Sequence, residues 1–177
     1  GATASLLPGS GHRRQEEQRI EPRIAPHEAP VQVRPGRAAG CADIAQQLAL
    51  YVVIYSPIQM ACDLPENYEG HPAFQFIRDV GVDWEQTRVL NGEVGDFVTI
   101  AREERGTGNW FVGAITDENP REVEIDFGFL PEGSSFQATI YKDHPLAHYR
   151  DNPTAIEIEK VVVNSKSRIS FQMAAGG

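Results

Sequence analysis

The first 40 residues hold no aromatic side chain, and they carry prolines at positions 8, 22, 26, 30 and 35. A segment of that kind buries too little apolar area to offset the entropy of ordering it, so residues 1–42 are expected to be disordered or to be a stretch read out of frame. Excess positive charge is missing as well. The chain carries a net charge of -9, with a pI near 5.0, which excludes nucleic acid and anionic membrane surfaces as favoured partners. The imbalance is uneven: residues 1–40 hold six Arg against four Glu, so residues 41–177 carry -11. Cysteine is scarce, with only Cys41 and Cys62, and Cys62 sits in an apolar run where a free thiol is the expected state. No long hydrophobic run is present either. Residues 44–62 are uncharged but broken by Pro57 and by two glutamines near their start, which excludes a spanning helix, and no apolar leader lies near Gly1, so no signal peptide is expected. Finally, G-x-S-x-G, H-E-x-x-H, paired C-x-x-C and a phosphate-cradling glycine loop are all absent.

What is present reads as two unequal parts. Asp43 can cap a helix from Ile44, with Gln46 at the reciprocal capping position, and Ile44, Leu48, Val52 and Tyr55 share one face at helical spacing. Ser56-Pro57 ends that helix. Residues 58–61 are short and apolar enough for a buried strand, closed by Asp63, Leu64 and Pro65. A second helix opens at His71-Pro72, turns Phe74 and Ile77 inward and stops at Gly81. From Val82 the period changes from helical to alternating. Strands are expected over residues 87–90, 97–102, 109–116, 122–127, 136–142, 155–163 and 168–173. Turn signals at Asn91-Gly92, Gly95-Asp96, 106–108, Asn119-Pro120, Gly133-Ser134 and Asn164-Ser165 separate them. Such strands without intervening helices predict a mainly β fold, an antiparallel β-sandwich over residues 82–177.

Candidate chemistry is thin. Glu122, Glu124 and Asp126 alternate with Val123, Ile125 and Phe127, which is the pattern of a wet strand face rather than of a proton-handling pair. Trp110, Phe111, Tyr141 and Tyr149 could stack on sugar rings, although alternation along 110–115 directs one side of that strand to the core. His144 and His148 lie four apart with Pro145 between them, and no third metal ligand accompanies them. Asp63 has a positional argument, because it directly follows the strand expected at 58–61 and could line a sugar pocket; an Asp there also often only caps a turn.

Four blocks carry a resemblance: QLALYVVIYSPIQMACDLPENY at 47–68, FQFIRDVGVDWEQTRVLNGEVGDFVTIAR at 74–102, WFVGAITDENPREV at 110–123 and NPT at 152–154. From about residue 44 onward the chain resembles glycoside hydrolase family 97, and SPIQMACDL looks like the last barrel strand of the related α-galactosidase families. The resemblance implies an intact enzyme with an N-terminal β-sandwich, a catalytic (β/α)8 barrel and a C-terminal β-domain for oligomerisation. It implies action on α-glucosides or α-galactosides in the bacterial periplasm with a bound calcium ion. Residues 43–81 would then be the last helix-strand-helix of the barrel. At 177 residues the chain is too short for a whole barrel of ~250. The catalytic carboxylates and calcium ligands belong to earlier barrel strands, so no catalytic or metal residue is expected here and Asp63 is the one substrate-binding candidate. The fragment is expected to be structural and inactive alone, with an α-linked oligosaccharide and a second subunit as partners of the intact enzyme. Relatives resemble one another in continuing past the position of Gly177 into a last strand, which predicts an unpaired sheet edge. The alternative reading is a carbohydrate-binding β-sandwich module using Trp110 and Tyr141.

Overall fold

The computed structural model describes residues 1–8, 43–61, 64–148 and 150–177. Eight strands form two antiparallel sheets. In chain order they are β1 (Ala2–Pro8), β2 (Trp84–Glu93), β3 (Phe97–Glu104), β4 (Trp110–Thr116), β5 (Arg121–Asp126), β6 (Ser135–Asp143), β7 (Ile156–Asn164) and β8 (Arg168–Met173). The larger sheet runs β2-β3-β4-β1-β6-β7 and the smaller pairs β5 with β8. The seven strands expected after Val82 are all present, within a few residues at each end.

Alternation explains how the layers meet. Trp110, Val112 and Ala114 of β4 and Phe136, Ala138 and Ile140 of β6 point toward the small sheet, where they meet Val123, Ile125, Phe171 and Met173. Phe111 and Tyr141, one residue out of phase, face the opposite side and join a second core with Leu48, Val52, Phe76 and Trp84. One turn expectation is corrected. Asn91-Gly92 does not reverse the chain; it lies inside β2, where the register shifts between Val89 and Asn91, and the reversal falls at Gly95, whose φ is 92°.

The expectation of disorder is corrected for residues 1–8. They form β1, in the middle of the large sheet, pairing with β4 on one side and β6 on the other. Ala2, Ala4 and Leu6 enter the main core, and the Thr3 hydroxyl donates to the Val112 carbonyl oxygen at 2.7 Å. In the smaller sheet β8 pairs with β5 alone, so its other edge carries no strand among the described residues. The remainder of the stretch expected to be disordered or out of frame, 9–42, falls outside the described residues.

Helix α1 (Ile44–Val53) lies across the face opposite the small sheet. Asp43 caps it as expected, its Oδ1 accepting the Gln46 amide at 2.9 Å, but Gln46 does not reciprocate: its Nε2 reaches the Thr116 carbonyl oxygen at 3.2 Å. The helix sits close because the sheet beneath it is stripped of bulk. A Cβ on Gly113 would lie 2.7 Å from the Ala49 carbonyl oxygen, and Gly113 pairs with Thr3 of β1. At the other end, Arg102 of β3 donates from Nε to Val52 O at 2.6 Å and from Nη2 to Val53 O at 3.3 Å, closing the helix with a fixed positive charge.

Two short helices, α2 (Pro65–Tyr68) and α3 (Phe74–Asp79), follow. Phe76 of α3 is buried edge-on against Phe111 and Tyr141. The buried strand expected over 58–61 is a further correction. These residues are irregular and exposed, Ile58 at 75% and Met60 at 78%. They are folded by local bonds instead: the Ile58 amide donates to the Ser56 hydroxyl oxygen, and Gln59 Nε2 donates to the Tyr51 carbonyl oxygen.

Candidate functional site

The residues singled out in the sequence do not converge. Asp63 and Cys62 lie outside the described residues, as does Tyr149. Glu122, Glu124 and Asp126 stand on the outer face of β5, where Arg168 of the paired strand β8 bridges Glu124 at 3.6 Å and Asp126 at 2.9 Å. This is the solvated cross-strand charge pattern expected of a wet face. Trp110 and Tyr141 are 2% and 3% exposed, packed in opposite cores, so neither offers a ring to a sugar. His144 and His148 are on the loop after β6, each accepting backbone amides through Nδ1. Among the described residues no group of three or more His, Cys, Asp or Glu is placed to hold a metal ion, and no helix is long and apolar enough to cross a membrane.

Two arrangements escaped sequence reasoning. The first is a buried acidic pair, Asp43 at the head of α1 and Asp143 at the end of β6. Asp143 Oδ2 accepts from the Gly1 nitrogen at 2.5 Å and from the Ala174 amide at 2.6 Å, while Asp43 Oδ1 lies 3.9 Å from the same Gly1 nitrogen. Burial pushes the Asp43 carboxyl up to about 7; the Gly1 ammonium pulls it back and the neighbouring Asp143 raises it further. Their separation of 100 residues left no signal in the sequence. The pair holds α1, β6 and the Gly1 end of β1 together, and it is closed off from solvent.

The second is an apolar surface. Ile54, Tyr55, Ile58, Met60 and Leu64 are all exposed within an eleven-residue stretch that leaves the C-terminus of α1. Isolated exposed apolar residues are ordinary, and five within one short stretch are more than that background. A separate open groove of about 560 Å3 lies at the β2–β3 tip, lined by Val89, Val94, Phe97 and Ile115 with Asp96 and Asp117 at its rim. The geometry of the described residues is that of a braced β-domain with one apolar flank.

Comparison with known proteins settles what kind of domain this is. Residues 83–177 match the family model described as glycosyl-hydrolase 97 C-terminal, oligomerisation. The chain belongs to glycoside hydrolase family 97. It is 35% identical over 133 residues to a retaining alpha-galactosidase of Bacteroides thetaiotaomicron, covering 75% of this chain and 19% of that protein. It is 36% identical to a probable retaining alpha-galactosidase of Streptomyces bingchenggensis, over 81% of this chain and 21% of that one. Among solved structures it resembles a family 97 enzyme of Pseudoalteromonas sp. strain K8 in complex with acarbose, with a TM-score of 0.75 and 50% identity over 77% of this chain and 22% of that one. A variant of that enzyme in complex with panose aligns equally well, with a TM-score of 0.74. The chain thus spans about a fifth of the length of the relatives it matches. The family 97 match carries the β-domain, and residues 43–81 supply α1, α2 and α3, of which α1 and α3 pack on the large sheet.

Proposed function

We propose that this domain is the structural and subunit-contact portion of an α-glycosidase, and that the groups that cleave the glycosidic bond lie on polypeptide outside these 177 residues. The observation that carries the reading is the apolar flank at Ile54, Ile58, Met60 and Leu64. It lies between α1 and α2, and a catalytic barrel seated there would remove it from water. Area burial at ~25 cal/mol per Å2 makes such a flank a stabilising contact once covered and a liability when bare. The relatives' names support an α-galactoside or related α-linked oligosaccharide as substrate of the whole protein. The family description supports a homo-oligomer. On the resemblance we assign calcium to residues of the barrel, and the periplasm as the compartment.

Complementation tests this. The Pseudoalteromonas enzyme, shortened by the part that matches this chain, is combined with this chain. Recovery of soluble, active enzyme is the expected result. Failure of the two to associate at tens of micromolar would contradict the brace. The second reading, a free-standing sugar-binding module, has no support in the burial of Trp110 and Tyr141.

A further inference from the structure

Strand β1 has an unusual attachment. Its two ladders run to β4 and β6, strands more than 100 positions away in sequence, and only residues 9–42 tie it to Asp43. Without it, β4 and β6 have no neighbour in common and the large sheet falls into two pieces, β2-β3-β4 and β6-β7. Two strand spacings of ~4.8 Å set the width of the slot it fills.

The slot is selective on both walls. Toward the small sheet, Ala2 and Ala4 are small and Leu6 is fully buried, fitting against Val112, Ile125, Ile140 and Phe171. Toward α1 only Gly1, Thr3 and Ser5 are presented; a Cβ on Gly1 would lie 2.7 Å from the Gln46 backbone. The ladder also continues past Gly1 without a gap. Pairing of Ala2 with Ala114 places the position before Gly1 opposite Thr116, and there the Thr116 amide donates to Gly177 O at 2.7 Å. One step further, the Gly176 amide donates to Asp117 O at 2.8 Å. Gly176, Gly177 and β1 therefore line β4 as one extended path made of two separate chain segments.

We propose that the slot between β4 and β6 is a peptide-binding site for an extended strand of the pattern small-x-small-x-Leu, with residues 1–8 as its resident ligand, held by the two ladders rather than by their covalent tie to Asp43. This is strand addition inside a sheet: backbone bonds supply affinity and alternate side chains supply selectivity.

The test uses the full chain with a site-specific protease sequence inserted between residues 20 and 30. After cleavage the N-terminal piece is expected to co-elute with the rest through size-exclusion chromatography. The midpoint of thermal unfolding should depend more steeply on protein concentration after cleavage than before it, and free peptide GATASLLP at ~100 times its Kd should raise the midpoint of the cleaved chain by roughly 5 °C. Separation of the piece from the remainder, or a midpoint indifferent to added peptide, would overturn the proposal. A second arm covers the case of a cleaved chain that does not survive. In the intact Leu6→Asp chain the resident strand is spoiled, and wild-type GATASLLP in trans should restore the midpoint toward that of the parent while the Leu6→Asp peptide does not. Equal effects of the two peptides would also overturn it.

Discussion

Arg102 Nε lies 2.6 Å from the carbonyl oxygen of Val52, so a side chain of the large sheet closes the last turn of the helix that crosses it. The same guanidinium donates to Thr87 Oγ1 at 2.9 Å and lies over the rings of Tyr55 and Trp84. Burial pulls its pKa down, yet the group stays cationic, because an arginine is protonated throughout the ordinary pH range. Replacing it by methionine leaves two helix carbonyls without their donor in a buried setting. The expected cost is about 2–4 kcal/mol, read as a drop in the unfolding midpoint, with Arg102→Lys intermediate because it keeps the charge but loses the fork.

Asp43 offers a pH signature. Its folded pKa of about 7 stands above the ordinary value of 3.8, so between those pH values the folded state holds a proton that the unfolded state releases. Stability from this group is therefore complete below pH ~4, declines as pH rises toward ~7 and is flat beyond. Asp43→Asn keeps an oxygen to accept the Gln46 amide and removes the titration. Urea unfolding at pH 5 and pH 8 should show the parent losing stability relative to Asp43→Asn, by a few kcal/mol at most. Parallel pH dependence in both proteins would argue against the buried acid.

Gly113 is expected to tolerate no side chain. Alanine there places its Cβ against Ala49 O and Val52 Cβ, backbone and core of α1, so the helix must lift from the sheet at a cost of roughly 1–3 kcal/mol. Near-ultraviolet circular dichroism of Phe111 and Trp84, which lie beneath the helix, should change with it.

Ile58→Ser and Met60→Ser test the flank. Both side chains are exposed, so the unfolding midpoint of this chain should stay within ~0.5 kcal/mol of the parent. Complementation of the shortened relative should weaken several-fold. A large loss of stability would mean that these residues pack within the domain.

Much of this was legible in the residues. Strands β5 and β8 announced themselves because one face of each is wet, which turns burial into an alternating sequence, whereas β4, buried on both faces, was legible from its apolar run and the turns around it; Gly95, Gly106 and Gly133 sit at reversals needing positive φ. β1 was hidden for the complementary reason. Ala2 to Leu6 are buried on both faces by small residues, so no alternation appears, and their partners are remote. Residues 58–61 misled in the opposite direction: apolar character was read as burial, but periodicity reports residue type and not what covers it. Asp63, whose positional argument came from that same strand, lies outside the described residues. The Asp43–Asp143 pair needed the register of β1 and β6 to become visible.

The account stands most directly on hydrolysis by the chain itself. Purified residues 1–177, shown folded by circular dichroism, are incubated with aryl α-galactosides and aryl α-glucosides at high enzyme concentration. Release of the aryl group at the rate of buffer alone is the predicted result, and turnover that tracks the amount of this protein would contradict it.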